Sequence, residues 1–365
     1  PGTPATIPLS ISSEMEMAIP KTMKAAILVE QRKPLVVDEI ELPSQLEVGQ
    51  VLVKIHFSGI CGSQLGEIDG AKGEDKFLPH LLGHEASGTV VDVGCGVKHV
   101  KAGDLVVLHW RKGQGIEGAP PVYRWRGAKL NAGWITTFNE YAIVAENRVT
   151  SIPPDSDLEV AALFGCAVTT GFGVVENNAK LRIGESVVVF GAGGVGLNIV
   201  QGAALVGAHP IIAVDLHANR LTLAKEMGAT YAINASEQDA KTEIERIVGP
   251  TGVDAFIDNT GLPAIIELGY QITKPQGRVP LVGVPRKGNN INIYSLPLHF
   301  GKGLSGSHGG EANPQSDIAR YHSMYRSGRI KLRELLTETH RLEDINAAIE
   351  NMRSGKTSGR CLIRL

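Results

Sequence analysis

Residues 191–196 read Gly-Ala-Gly-Gly-Val-Gly and follow directly on the apolar run 186–190, which ends in Phe190. A glycine-rich turn between a buried strand and a helix is the signature of a dinucleotide-binding βαβ unit. Gly191 permits the tight turn, Gly193 lets the backbone approach a pyrophosphate, and Gly196 lets helix and strand pack closely. Gly194 and Val195 open the helix, whose free N–H groups attract phosphate. Asp215 closes the next apolar run, 24 residues after Gly191. A carboxylate there accepts hydrogen bonds from the hydroxyls of an adenosine ribose and repels a 2′-phosphate. NAD is therefore expected over NADP. Arg220, five residues further on, opposes that preference to the extent that its guanidinium neutralises Asp215.

The texture around this turn extends the pattern. Apolar runs at 186–190, 211–215, 255–258 and 279–284 alternate with helical stretches at 195–206 and 220–226. That alternation predicts a doubly wound parallel sheet. Pro280 is expected at a strand's first residue or on an edge, because proline removes a ladder donor. Residues 23–149 differ: short β-type runs at 24–29, 51–57, 88–93, 104–108 and 141–144, cut by Gly and Pro, predict an antiparallel, barrel-like half. The tail adds helical candidates at 314–327 and 342–353 and a closing strand at 361–365. The expected class is α/β, with one β-rich domain (23–165 and 309–365) interrupted by an inserted nucleotide-binding domain (166–308). A flexible leader is expected over 1–22.

Composition bounds the partners. With 43% hydrophobic and 20% charged residues and a net charge of -2, the chain is globular and has no basic field to gather nucleic acid or an anionic membrane. No stretch approaches the roughly 18 apolar residues of a membrane span. Four cysteines, widely spaced and never as CxxC, argue against a disulfide framework and for a reducing, cytoplasmic setting with thiols free for metal.

Three loops supply candidate ligands: Cys61 in Gly59-Ile60-Cys61-Gly62-Ser63, His84 in Gly83-His84-Glu85, and Cys166 in Gly165-Cys166-Ala167. Two thiolates and one imidazole make a soft set suited to Zn²⁺, and three protein ligands leave a fourth position open for chemistry. Singly each is weak, since an isolated cysteine is more often a small buried hydrophobe.

Taken together, the three loops, the stretch 166–171, the glycine turn and the ending 354–360 resemble the medium-chain zinc-dependent alcohol dehydrogenases. The match runs over 24–365 and is nearest to the class I and class III branch. The resemblance implies a GroES-like β-rich catalytic domain beside a Rossmann domain. It implies one catalytic Zn²⁺ per chain on Cys61, His84 and Cys166. Ser63 becomes the first proton-relay hydroxyl, and Glu85 a carboxylate behind the metal or transiently on it. Thr170 and Val195 fall against the nicotinamide, Arg360 at the pyrophosphate, and Trp110 on the wall of the substrate pocket. The implied reaction passes a hydride between a small-molecule alcohol or carbonyl substrate and NAD, with Zn²⁺ acidifying the hydroxyl. A homodimer or homotetramer is expected, with no nucleic acid and no membrane. Residues 290–295, with alternating Ile, are expected to pair edge to edge across a two-fold axis. Two alternatives remain open: an enzyme of this fold that oxidises and re-reduces within one cycle, and a nucleotide-binding relative without turnover.

The sequence departs from the family's pattern in four places. Residues 112–130 hold none of the clustered cysteines that bind a structural zinc in relatives. Gly62 stands where many relatives carry a basic residue, and Gly66 where the liver-type relay histidine falls. Gln64 replaces the usual aspartate three residues after the first ligand, removing a negative charge from behind the metal. The altered lobe instead gathers Trp110, Trp125 and Trp134 with Arg111, Lys112, Tyr123, Arg124, Arg126 and Lys129. Aromatic faces with cationic donors suit a polyol or sugar-like secondary alcohol, including an anionic one. The competing expectation is that these groups pack the lobe in the metal's place.

Overall fold

The computed structural model describes residues 19–365. Most of the expected leader, 1–18, lies outside the described residues, and Thr22 already belongs to the first strand, paired with Glu41.

The strand Gln50–Ile60 organises the β-rich half. It pairs antiparallel with Glu85–Val93 and with Tyr141–Ala145. Val51, Val53 and Ile55 pack on one face with Val90, Leu108 and Val144, whereas Leu52 points to the other face with Ile27, Ile143 and Tyr123. A strand buried on both faces reads as a continuous apolar run rather than an alternating one. At its far end it pairs with Arg360–Arg364, Cys361 opposite Ile60 and Leu362 opposite Gly59. The tail thus returns to the first half and sets Arg360 beside the Cys61 loop.

The second half is a six-stranded sheet in the order Tyr231–Asn234, Ile211–Asp215, Val187–Phe190, Val253–Asp258, Thr273–Leu281, Gly303–Gly306. Every pair is parallel. The order reverses between Val187–Phe190 and Val253–Asp258, and ligands of doubly wound sheets bind at the carboxyl ends of the strands at that switch. One core cluster joins Val187, Val189, Ile199 and Val200 to Phe164, Val168, Ile318 and Leu362. Each such side chain, fully buried, contributes about 1.5–3 kcal/mol.

One expectation needs correction. Pro280 is neither first in its strand nor on an edge, since Thr273–Leu281 lies between two partners and Pro280 pairs with Ser305. The missing rung is tolerated because the Val282 and Gly283 N–H groups both donate to the Asp258 carbonyl just beyond it. Within the single chain residues 290–295 pair with no other strand, and the edge of the sheet is Gly303–Gly306. The tail helices run Pro314–Arg326 and Ile345–Arg353. Among the described residues no single helix is long and apolar enough to cross a membrane.

Candidate active site

Cys61 caps the short helix Gly62–Ile68, His84 ends the turn before Glu85–Val93, and Cys166 caps the helix Ala167–Gly173. One ligand atom from each lies within 4.8 Å of the other two. The two thiols share a hydrogen bond, which with His84 nearby draws Cys61 well below the ordinary thiol range. The same bond, followed by burial, pushes Cys166 well above it. The pair holds one negative charge easily and a second only beside a cation. Among the described residues His84 Nε2 is buried without a hydrogen-bond partner. An orphaned nitrogen facing two thiols is a donor set that fits Zn²⁺.

Gln64 is buried and tied to two of these loops. Its Oε1 accepts from the Cys61 N–H at 3.0 Å, and its amide nitrogen donates to His84 Nδ1. With Nδ1 accepting, the proton sits on Nε2; ligation through Nε2 needs the other tautomer, with Nδ1–H donating to an oxygen. Ser63 Oγ, 3.5 Å from Nδ1, and Gln64 Oε1 after a turn of the amide are the acceptors within reach.

Glu85 does not join the triad of ligand atoms. It is fully buried, accepts from the Ala167 N–H at 3.3 Å, and contacts the Arg360 guanidinium. A Cβ on Gly194 would collide with the stem of Arg360, so that residue runs from the glycine turn to the back of the metal loops. In the turn itself Gly191 has φ +97°, and a Cβ on Gly196 would strike the Gly191 carbonyl. Gly193 faces open space, as close approach of a pyrophosphate requires. Asp215 Oδ2 accepts from the Ala192 N–H at 2.8 Å, placing the carboxylate at the turn. Arg220 Nη1 lies 3.7 Å from that carboxylate, a partial neutralisation only, because its Nε donates to the Thr357 carbonyl. Val195 lies in the helix Gly194–Leu205, and Thr170 in the helix packed against it where Gly171 meets Asn198.

Of the three tryptophans only Trp110 reaches the site, its ring centroid 6.5 Å from that of His84 and 4.9 Å from that of His308. Arg111 donates to His308 Nδ1 at 2.7 Å, closing the same corner. The rest of the lobe is committed elsewhere. Trp125 donates to Asp38 at 2.9 Å and Arg126 pairs with the same carboxylate. Lys112 pairs with Glu117, Arg124 donates to the Gly127 carbonyl, Lys129 is exposed, and Tyr123 is buried in the core. Trp134 is 48% exposed and stacks near Arg148. The expected aromatic and cationic pocket thus shrinks to Trp110, Arg111 and His308, because charges and indole N–H groups near the surface find nearer partners.

Sequence reasoning missed His308 and the loop Asp258-Asn259-Thr260-Gly261. Asn259 donates to the Gly191 carbonyl at 3.2 Å, and Asp258 accepts from Thr260 and Gly261, fixing the other lip of the cofactor crevice. Burial pushes the Asp258 carboxyl up. Its position at the carboxyl end of the strand beside the switch was the available signal.

Comparison with known proteins bears on this site directly. Residues 47–154 match the alcohol dehydrogenase GroES-like domain and residues 194–325 the zinc-binding dehydrogenase domain. An alcohol dehydrogenase class-3 from Cereibacter sphaeroides is 32% identical, covering 92% of this chain and 97% of its own. An S-(hydroxymethyl)glutathione dehydrogenase from Synechocystis is 34% identical with the same coverage. The crystal structure of benzyl alcohol dehydrogenase from Acinetobacter calcoaceticus superposes with a TM-score of 0.84 at 28% identity, covering 94% of this chain and 99% of that one.

Proposed function

The chain belongs to the zinc-dependent alcohol dehydrogenase family, and on that premise we propose that it passes a hydride between an alcohol and NAD at the centre formed by Cys61, His84 and Cys166. The observation that carries this reading is the buried His84 Nε2, without a hydrogen-bond partner among the described residues, within 4.8 Å of the Cys61 and Cys166 sulfurs. Zn²⁺ held there supplies a Lewis acid that acidifies a hydroxyl.

The protein's own groups do the rest. Gln64 and Ser63 orient His84, and Ser63 Oγ takes the substrate proton. With glycine at position 66, the proton leaves through a ribose hydroxyl or water. Gly191, Gly193, Gly194 and Gly196 admit the pyrophosphate, with Arg360 alongside, and Asp215 accepts from the adenosine ribose. Thr170 and Val195 pack against the nicotinamide. Glu85 balances the Arg360 charge behind the metal loops.

The β-rich catalytic unit is assigned to 23–165 and 309–365 and the cofactor unit to 166–308. A second copy of the chain is proposed to cover Tyr294, Leu296, Leu298 and Phe300, which are exposed apolar residues next to the sheet edge. The substrate class proposed is a polyol or sugar-like secondary alcohol, supported by the Trp110 face with Arg111 and His308 at its rim. The test mixes zinc-loaded protein and NAD with ethanol, hexanol, cyclic polyols and sugar phosphates and follows NADH absorbance. Turnover of some alcohol with net NADH is expected, with polyols leading in kcat/KM and losing that lead in Trp110→Ala. Absence of net NADH across the panel contradicts the dehydrogenase reading. Preference for the unbranched alcohols contradicts the substrate class.

A further inference from the structure

A second group of soft donors lies one residue beyond Arg360. Glu338 and His340 stand two apart on the strand Leu336–Arg341 and so share a face. Cys361 is in register with Glu338 on the parallel strand Arg360–Arg364 and shares that face too. One ligand atom from each of the three lies within 4.8 Å of the other two. The even-numbered positions of the first strand are its half-buried ones, so the group is turned inward beneath the helix Ile345–Arg353.

The carboxylate is held from outside the group. Thr357 Oγ1 donates to Glu338 Oε1 at 2.8 Å, and Asn351 Nδ2 donates to Oε2 at 3.2 Å. Metal-ligating carboxylates are fixed by such outer hydrogen bonds. His340 Nε2 lies 2.9 Å from Glu338 Oε2. The Cys361 thiol is buried and, among the described residues, has only the Leu362 carbonyl, at 3.9 Å, as a hydrogen-bond partner. Burial, with the Glu338 charge beside it, pushes that thiol up to about 12.

We propose that Glu338, His340 and Cys361 form a second metal site, structural rather than catalytic, for Zn²⁺ or another divalent ion that accepts sulfur and nitrogen. The donor set excludes Mg²⁺ and Ca²⁺, which take oxygen ligands. Binding through His340 Nε2 moves the imidazole proton from Nε2 to Nδ1 and releases the Cys361 thiol proton to solvent. One carboxylate and one thiolate then balance the two charges of the ion. The site ties the two tail strands together at the base of the segment that touches the cofactor half. There Asn219 donates to the carbonyls of Gly355 and Lys356, and Arg220 donates to that of Thr357.

The probe is Co²⁺ added to metal-free full-length protein, read by its thiolate charge-transfer absorption and by metal analysis after gel filtration. The wild type should take up two equivalents, each adding charge-transfer intensity, and the second should release protons. His340→Leu and Glu338→Gln should keep the first equivalent and weaken the second at least tenfold. The double variant Cys61→Ala, Cys166→Ala should still bind one equivalent with a thiolate band, a readout that stands or falls separately from dehydrogenase activity. A wild type saturating at one equivalent overturns the proposal. So does a second equivalent that survives unchanged in both His340→Leu and Glu338→Gln.

Discussion

The carboxylate of Glu146 and the centre at Cys61, His84 and Cys166 are both largely buried, but only the carboxylate has each of its polar atoms satisfied by the groups around it. Glu146, 2% exposed, accepts from the backbone N–H groups of Lys98 and His99 with one oxygen and from Ile116 with the other. Arg148 donates to the Trp110 carbonyl and to Glu117. At the centre, by contrast, His84 Nε2 has no hydrogen-bond partner among the described residues and faces the two thiols. A buried group with its partners in place, like the Glu146 carboxylate, holds a fold together, whereas a donor set left open is shaped for something it must bind.

The sharpest way to break this contrast is to remove one open donor. Cys166→Ala should lose zinc and lower turnover roughly 1,000-fold or more, since the metal supplies several kcal/mol to the barrier. Metal analysis and alcohol oxidation check it, and retained turnover would place the centre elsewhere.

Altering the satisfied carboxylate should instead cost stability. Glu146→Gln leaves buried N–H groups underserved and should destabilise the protein by about 3 kcal/mol in denaturant unfolding while zinc binding persists. Burial alone would raise the Glu146 pKa, but the N–H groups of Lys98, Ile116 and His99 hold it below its ordinary value. A depressed folded pKa means the carboxylate's contribution is complete above the unfolded value of 4.5 and is lost as pH falls through the lower folded value. The variant should therefore lose less stability than wild type on acidification through that window.

Smaller effects should refine the cofactor side and the metal's support. Asp215→Ala should weaken NAD by about 2 kcal/mol and NADP by less, because a charged hydrogen-bond acceptor is lost and its repulsion of a 2′-phosphate with it. Competition binding of the two nucleotides reads the difference. Gln64→Glu should tighten zinc about tenfold, since a carboxylate can accept from both the Cys61 N–H and His84 Nδ1–H, whereas the amide must turn one of them away. Chelator competition measures it, and unchanged affinity would mean that Ser63 alone sets the His84 tautomer.

These two regions were also unequally legible in the sequence. The glycine turn and Asp215 could be read because each position has a backbone or charge requirement that few residues meet, and the parallel sheet follows from the alternation around them. Cys61, His84 and Cys166 were identified by the loops that carry them, although their sequence separation gave no hint of 4.8 Å proximity. The lobe misled because composition counts cations and aromatics without saying which carboxylates stand nearby: Asp38 captures Trp125 and Arg126, and Glu117 captures Lys112. His308 and Glu146 carried no local motif, since each acts through partners distant in the chain. Pro280 was misplaced because neighbouring N–H groups can cover a missing rung, which no single-residue rule foresees.

X-ray absorption at the zinc edge, on protein carrying one equivalent of zinc, tests the account most directly. It predicts two sulfurs at about 2.3 Å, one nitrogen at about 2.0–2.1 Å and one further light atom, with that two-sulfur shell lost in Cys61→Ala. A first shell of nitrogen and oxygen alone, or one unchanged in Cys61→Ala, would contradict it.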